Sequence, residues 1–261
     1  MPASDWSDVD ASARPARFVA GLDALRADPF FAAQKVRILE ALELPAGEIV
    51  ADVGSGTGED AAELARAGCR AVGVERSAVL LAEARRRHHA PRFVAADARA
   101  LPFGDETVSR VRVDRVLQHL DRPREALTEW RRVLRRGGAL AVFEPDLLTA
   151  RIEGLDPTVA VAVLRWRAGT RPGAGAVHDL AGALGAAGFA DVRVDAVALD
   201  LDDLHRADGM MGLPEWGESA GGAGFLAPRD ALRWRDDALA ASQRGTLRYS
   251  CTYLHGRARA V

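Results

Sequence analysis

Short apolar segments alternate with helical patterns between residues 48 and 145, and this alternation constrains the fold more than any other feature. The segments EIVADV and RAVGVE each precede an amphipathic stretch that begins with acidic residues or with serine. Further apolar segments lie at 92–97, 109–114 and 139–145. Strands that alternate with helices at this spacing form βαβ units around a parallel sheet. The sequence therefore predicts an α/β fold.

One predicted strand, SRVRVD at 109–114, has an unusual composition. Arg110 and Arg112 alternate with Val111 and Val113, whereas a central parallel strand is normally apolar on both faces. We therefore expect other groups in the fold to shield or pair with these two arginines.

A glycine-rich loop, VADVGSGTGED, follows the first strand. Gly54, Gly56 and Gly58 allow the backbone to turn tightly and to approach a ligand closely. The helix that follows offers free N–H groups to an anionic group. A dinucleotide fingerprint would place its third glycine at position 59, which is Glu59 here. An acidic side chain is a poor neighbour for a pyrophosphate but suits a ligand that carries both a carboxylate and an ammonium group.

Acidic residues also end the next two strands. Glu75 lies about 20 residues beyond the glycine loop, where a carboxylate accepts hydrogen bonds from both ribose hydroxyls. Asp97 ends the third strand, and its carboxylate would accept a hydrogen bond from an exocyclic adenine amine, with the N–H of Ala98 donating to a ring nitrogen. The position of Glu75 does not distinguish a nicotinamide from an adenosyl cofactor, since both kinds of site use an acidic residue there, whereas Asp97 with Ala98 suits an adenine.

With these motifs in order, the chain resembles the class I S-adenosylmethionine-dependent methyltransferases. The resemblance rests on VADVGSGTGED, VGVERS, VAADARALPF, the long run VDRVLQHLDRPREALTEWRRVLRRGGALAVFEPD and the terminal TYLHGRA. It covers about residues 34–147 and the end of the chain. It implies a Rossmann-like, seven-stranded, mostly parallel sheet with an antiparallel last strand near 247–258 and helices on both faces.

The resemblance also implies a site for S-adenosyl-L-methionine, with S-adenosyl-L-homocysteine as its product. The glycine loop would hold the methionine end, Glu75 the ribose, and Asp97 with Ala98 the adenine. The implied cofactor-binding residues are Asp52, Gly54, Ser55, Gly56, Glu75, Arg76, Asp97, Ala98 and Asp114.

Three positions depart from the pattern of many relatives. Ser55 replaces a cysteine, Ser109 replaces an aspartate before the fourth strand, and His119 stands alone where some relatives have paired histidines. The change at Ser109 leaves open how the backbone pairs there.

His119 is the candidate catalytic residue. It lies just beyond the carboxyl end of the fourth strand, at the edge where ligands bind in open α/β folds, and an imidazole accepts a proton from a hydroxyl or amine near neutral pH. The alternative is that His119 packs the loop before the next helix. Asp114 either contacts the methionine ammonium or the acceptor, or has a structural role. Glu144 and Asp146 more often fix the chain at this edge.

The chain beyond Pro145 has a different pattern. We expect helices at 147–168, 178–189 and 228–242, strands at 191–199 and 246–258, and a glycine-rich loop or lid at 209–224. The helix at 123–136 is expected to end at Gly137-Gly138. Apolar residues lie within or beside the suspected lid and would suit a hydrophobic acceptor: Met210, Met211, Trp216 and Phe225.

The N-terminal region predicts two helices between Phe18 and Leu44, interrupted at Asp28-Pro29. Trp6 and Phe18 are candidates to close the same pocket. We expect one methyltransferase-like domain over 1–261, with a helical cap at 1–44 and acceptor-pocket elements at 147–245.

Composition excludes several partner classes. A formal net charge of −2 and a pI near 6.3 give no electrostatic reason to expect nucleic acid or an anionic membrane, and no apolar run is long enough for a membrane span. Cys69 and Cys251 are far apart, which predicts reduced thiols in a cytoplasmic protein. His88-His89 has no further ligands nearby in sequence, and we expect no metal site there.

Three functions remain open. The first is methyl transfer to a small-molecule acceptor, at O, N or C, in bacterial secondary metabolism. The second is a methyltransferase-like fold that binds the cofactor without transferring a methyl group, as a rearrangement catalyst or binding protein. The third is a nicotinamide-dependent oxidoreductase, against which Glu59 and the Asp97-Ala98 pair count. The acceptor and the oligomeric state are left open.

Overall fold

A computed structural model describes residues 9–44 and 46–261, and seven strands in this part of the chain form one sheet. The order is β3-β2-β1-β4-β5-β7-β6, with β7 antiparallel to both of its neighbours and the β1 to β5 pairs parallel. This confirms the predicted architecture. The strands are β1 (Ile49–Val53), β2 (Arg70–Glu75), β3 (Arg92–Ala95), β4 (Val108–Asp114), β5 (Leu134–Glu153), β6 (Phe189–Leu201) and β7 (Arg248–Ala260).

The helices connect the strands and cover the sheet. Asp28 caps the second helix by accepting the Phe30 N–H at 2.9 Å, and Pro29 occupies its first turn, as the predicted interruption requires. The helices are α1 (Ala16–Ala27), α2 (Pro29–Leu42), α3 (Glu59–Arg66), α4 (Ala78–Arg87), α5 (Pro123–Val133), α6 (Pro157–Gly169), α7 (Ala174–His178), α8 (Leu180–Ala186), α9 (Leu204–Met211), α10 (Trp216–Gly222) and α11 (Pro228–Gln243).

Two hydrophobic cores lie on opposite faces of the sheet, because successive strand side chains point to opposite sides. Val50 packs with residues of α2, α3, α6, α9 and α11, whereas Ala51 and Val53 pack with residues of α5 and α8. Strand β1 lies between β2 and β4, so the chain order reverses there. The crevice at the carboxyl ends of the strands beside such a reversal is where open α/β sheets bind ligands.

The two arginines of β4 are buried, and both have partners. Arg110 donates to the carbonyl oxygens of Leu42, Ser109 and Glu43. Arg112 is paired with three aspartates, described below with the site. Backbone carbonyls therefore supply the expected shielding for Arg110, and carboxylates supply it for Arg112.

The prediction around Gly137-Gly138 was wrong. Helix α5 ends at Val133, and β5 begins at once with Leu134, which pairs with Val108. The register then shifts before Ala139 pairs with Arg110, so the two glycines lie in a bulge, where Gly137 has φ +71°. A bulge needs this conformation as much as a helix cap does, and the sequence cannot distinguish the two.

The expected helix at 147–168 was also partly wrong. Residues up to Glu153 continue β5, and only Pro157–Gly169 is helical. After a register shift, Arg151, Ile152 and Glu153 pair with the antiparallel β7. Pairing with a strand about 100 residues away decided the conformation of this segment.

The segment at 209–224 is not a glycine-rich loop, contrary to expectation. It contains the end of α9, a 3₁₀ turn at Leu213–Glu215 and the helix α10. Added Cβ atoms at Gly217 and Gly221 would collide with Trp234 and Ala231 of α11. The glycines permit close helix packing, which offsets their low helix propensity.

Two further findings bear on the environment of the chain. In the part that the structure describes, no helix combines the length and apolarity needed to cross a membrane. Cys69 and Cys251 are both buried, and neither forms a disulfide within the described residues.

Candidate functional site

A cavity of about 750 Å³ opens at the carboxyl ends of the central strands. One wall, the glycine-loop side, comprises Gly54, Gly56, Glu75, Asp97 and Ala98. A second group of lining residues, named the acceptor side for the role proposed below, comprises Leu147, Arg167, Arg171, Trp216, Tyr249 and Tyr253. His119 also lines the cavity. The structure therefore brings together predicted site residues from four different strand ends.

The glycine loop has the backbone geometry that its sequence predicts. Gly54 and Gly56 have φ values of +71° and +54°, which glycine adopts without strain. A Cβ at Gly54 would overlap Val116, and one at Gly56 would reach Leu22 at 3.0 Å. Side chains at these positions would therefore be strained and would fill the floor of the cavity.

Glu75 holds the glycine loop in addition to lining the cavity. Its carboxylate accepts hydrogen bonds from the N–H of Gly56 at 3.0 Å and from the N–H of Ser77 at 2.8 Å. Burial raises the pKa of Glu75, against the opposing effect of these N–H donors. Arg76 follows it on the cavity wall.

Asp97 lies on the cavity wall with Arg99 bound to it. Its carboxylate accepts from the N–H, Nε and Nη2 of Arg99 at 2.8 to 2.9 Å, and these hydrogen bonds lower the pKa of Asp97. Nη1 of the same arginine reaches Asp121. The neighbouring Ala98 carbonyl accepts from Trp130 Nε1 at 2.9 Å. Arg99, which the sequence analysis missed, therefore orients the proposed adenine-binding carboxylate.

Asp52 and Ser55 are buried behind the glycine-loop side. Asp52 is fully buried, and its Oδ1 accepts from Arg112 Nη1 at 2.9 Å. Burial raises the pKa of Asp52 to about 6, although Arg112 opposes the shift. Among the described residues, no hydrogen-bond partner reaches Asp52 Oδ2 or Ser55 Oγ. The structure thus places Asp52 against Arg112, and its role in cofactor binding stays a prediction.

A buried charge cluster centres on Arg112. Nη2 of Arg112 lies 2.9 Å from both Asp60 Oδ2 and Asp114 Oδ2, in addition to the contact with Asp52. Lys35 of α2 reaches the carboxylates of Asp60 and Asp114. Lys35 and Asp60 were not predicted. The sequence offered one signal for them, since a strand with two inward arginines needs acidic partners.

Asp114 connects this cluster to the cavity. Its Oδ1 accepts from Arg115 Nε at 2.8 Å, and both residues line the cavity. Burial alone would raise the pKa of Asp114, but Arg115, Lys35 and Arg112 hold it well below its ordinary value. Asp114 is thus an anion whose described partners are the cations of this cluster.

His119 ends a 3₁₀ turn, Leu117–His119, whose backbone is fixed from below. Glu144 is fully buried, and its Oε1 accepts from the N–H groups of Val116 and Leu117 at 2.6 Å each. Burial, with the positive charges of nearby arginines, holds the pKa of His119 well below its ordinary value. The imidazole is therefore neutral at neutral pH and has a lone pair to accept a proton.

Helices α1 and α9 cover the cavity. Phe18 and Leu22 of α1, with Met210 and Met211 at the end of α9, line it, and Arg17 is paired with Glu215 at 2.8 Å. Phe18 therefore lies where the sequence placed it, whereas Trp6 lies outside the described residues. In contrast to Trp216, Phe225 is 48% exposed and lies away from the cavity.

The remaining candidates have structural contacts. Nδ1 of His178 lies 2.9 Å from Asp146 Oδ2, which ties α7 to β5. Nε2 of His88 lies 3.6 Å from Glu59. Glu59 accepts from Thr57 Oγ1 and Arg87 Nη1, so it closes the loop rather than lining the cavity.

The reversal in strand order, the glycine loop and the two acidic strand ends define a Rossmann-like nucleotide-binding class. Within it, residues 51–142 match the model of a family described as the methyltransferase domain. These residues of the chain therefore form a methyltransferase domain, as its motifs indicated.

Two bacterial proteins are similar to parts of the chain. The chain is 35% identical, over 84% of its length, to an uncharacterized 37.1 kDa protein in transposon Tn4556 of Streptomyces fradiae, and it spans 65% of that protein. It is 36% identical, over 41% of its length, to a demethylmenaquinone methyltransferase of Renibacterium salmoninarum and spans 45% of it.

A solved structure shows the same fold. Phosphoethanolamine N-methyltransferase 2 of Haemonchus contortus, in complex with phosphomonomethylethanolamine and S-adenosylhomocysteine, superposes with a TM-score of 0.62. The match has 14% sequence identity and covers 98% of this chain and 60% of that one.

Proposed function

We propose that this protein transfers a methyl group from S-adenosylmethionine to a small-molecule acceptor. The observation that carries the proposal is the convergence of the glycine loop, Glu75 and Asp97 on one cavity within a methyltransferase domain. In this proposal, elements of 147–245 form the pocket for the acceptor, and the N-terminal helices complete it.

The residues present fit the cofactor. Gly54 and Gly56 line the cavity at positive φ and without a Cβ, so the backbone can approach a ligand closely there. Ser55 Oγ is a buried hydroxyl without a partner among the described residues. The glycine loop would hold the methionine end near Asp114 and Arg115. Glu75 with Arg76 would hold the ribose, and Asp97 with Ala98 the adenine.

The bound cofactor supplies an activated methyl group on a sulfonium. The protein contributes position and the exclusion of water, because transfer between correctly placed reactants needs little further catalysis. Helices α1 and α9, with Phe18, Leu22 and Met210, shield the cavity from solvent. His119 is placed to hold the proton that leaves an acceptor hydroxyl or amine.

Calorimetry with S-adenosylhomocysteine tests the proposal. We expect binding by the wild-type protein, and Glu75→Ala or Asp97→Ala should weaken it by about tenfold or more, since each removes a carboxyl group that accepts hydrogen bonds from the ligand in this proposal. Asp236→Ala, at an exposed position on α11, is the control and should bind as the wild type does. If the wild-type protein does not bind, the proposal is wrong.

His119→Ala tests the proposed proton acceptor. We expect the variant to lose turnover, by roughly 100-fold for a general base, while its affinity for S-adenosylhomocysteine stays unchanged. Turnover is measured by the transfer of a tritiated methyl group to an acceptor found by screening small molecules. Affinity for S-adenosylhomocysteine is measured by calorimetry. Equal turnover would remove His119 from the mechanism and leave it a packing role.

The same experiments separate the alternatives. Cofactor binding without methyl transfer to any acceptor would favour a rearrangement catalyst or binding protein. Fluorescence titration with NADH addresses the oxidoreductase, and we expect no binding. We propose a cytoplasmic location, supported by two buried cysteines that form no disulfide within the described residues. We also propose that neither nucleic acid nor membrane takes part, supported by the formal net charge of −2. A place in bacterial secondary metabolism is supported by the bacterial relatives.

A further inference from the structure

We propose that the acceptor carries an anionic group, a carboxylate or a phosphate, which Arg167 and Arg171 bind on the acceptor side of the cavity. This inference rests on the proposed function and names the chemical class of its acceptor. It concerns residues outside the motifs that identify the cofactor site.

The first observation is the environment of Arg167. Its side chain lies on the cavity wall, with the guanidinium carbon 4.7 Å from the ring centroid of Trp216. Within residues 9–44 and 46–261, no carboxylate lies within ion-pair distance of Arg167, and its buried Nε has no hydrogen-bond partner. Burying a guanidinium costs free energy unless an anion compensates for it. A bound anion would supply that compensation.

Three other arginines on the cavity wall differ from Arg167 in having carboxylate partners. Arg17 pairs with Glu215, Arg99 with Asp97, and Arg115 with Asp114, each at 2.8 Å. Their charges are therefore neutralised within the protein. Arg167 brings a positive charge to the acceptor side that these pairs do not balance.

Arg171 adds a second cation to the same side. It is 5% exposed, and its Nη1 donates to the carbonyl oxygen and the hydroxyl of Thr170 at 3.0 and 3.1 Å. These contacts fix the guanidinium plane at the cavity wall. A planar guanidinium held in this way binds carboxylate or phosphate oxygens in a defined geometry.

The surroundings of the two arginines define the rest of the acceptor. The wall around them is apolar or aromatic, and the phenols of Tyr249 and Tyr253 are buried, which raises the pKa of both. They remain protonated and present uncharged surfaces. The acceptor is therefore an amphiphilic molecule with an apolar body and one anionic end. The apolar wall comprises Leu147, Met210, Met211, Trp216, Tyr249 and Tyr253.

The test compares a carboxylate with its neutral isostere and with a phosphate. Protein saturated with S-adenosylhomocysteine is titrated in a calorimeter with cinnamate, with its neutral isostere cinnamamide, and with phenyl phosphate. We expect at least one anion to bind about tenfold or more tightly than cinnamamide, the range of a charge-assisted hydrogen bond. Tighter binding of phenyl phosphate identifies a phosphate end, and tighter binding of cinnamate a carboxylate end.

Arg167→Gln should remove the preference for the anion without changing the affinity for S-adenosylhomocysteine or for the amide. Arg165→Gln, an exposed position on the same helix, is the control and should keep the preference. If Arg167→Gln does not fold, Arg167→Lys serves instead. It retains the charge but loses the planar fork, and its affinity for the anion should fall severalfold while that for the amide does not.

Each negative result has a distinct meaning. If S-adenosylhomocysteine does not bind to the wild-type protein, the proposed function fails. If it binds but the anions bind no more tightly than cinnamamide, or neither anion binds, the proposed function stands and the anionic acceptor is wrong. An unchanged preference in Arg167→Gln also overturns the assignment.

Discussion

The two sides of the cavity are built in different ways. On the glycine-loop side, Gly54, Glu75 and Asp97 follow the ends of consecutive strands, and backbone N–H groups and nearby arginines fix them. On the acceptor side, Arg167, Trp216 and Tyr253 come from α6, α10 and β7, and they are held by ring contacts and apolar packing. The first side therefore depends on local backbone geometry and charge, and the second on distant segments that must pack together.

The largest effect is expected from a substitution that breaks the charge balance behind the glycine-loop side. Arg112→Met should destabilise the protein by about 3–5 kcal/mol, because it leaves three aspartates facing Lys35 and Arg115 alone. Urea unfolding measures the change. Arg135→Met, which removes the exposed pair with Glu48, should cost at most about 1 kcal/mol. Similar losses in the two variants would contradict the role of the buried cluster.

The next effect concerns Glu144, which fixes the loop between the two sides. Burial raises its pKa from 4.5 to about 8, so between these values the folded protein holds a proton that the unfolded chain has released. Stability should therefore be greatest below about pH 4.5 and fall as the pH rises to about 8, by a few kcal/mol from this group. Asp52 acts in the same direction up to about pH 6.

Glu144→Gln should flatten this dependence. A glutamine oxygen at the Oε1 position still accepts from the N–H groups of Val116 and Leu117, and the side chain no longer titrates. Thermal unfolding of both proteins from pH 5 to pH 8 measures the difference in slope. Parallel curves would show that Glu144 is ionised throughout in the folded protein.

The smallest expected effect lies at the mouth of the cavity. Arg17→Gln removes the exposed pair with Glu215 and should change stability by less than about 1 kcal/mol. It should still raise hydrogen exchange in residues 204–222, since the pair connects α1 to the turn after α9. Unchanged exchange would show that apolar packing alone holds the cover of the cavity.

The same difference between local and distant contacts separates the elements that the sequence predicts from those that it does not. The segment 139–145 could be predicted as a strand, because a buried parallel strand is a nearly continuous apolar run that its own sequence shows. Residues 147–153 were assigned to a helix, since their composition allows either structure and only pairing with β7 decides between them. At 209–224 the glycines suggested a loop, but the space that Trp234 and Ala231 occupy requires glycine within a helix.

The sequence by itself determined the sheet, the glycine loop and the acidic strand ends, because each depends on residues within a few positions of one another. Only the tertiary structure decided that Lys35 and Asp60 join Arg112 and that Arg167 faces the cavity. These contacts join residues whose separation along the chain carries no periodic signal. Their identity depends on which surfaces pack, and packing is settled by the whole fold.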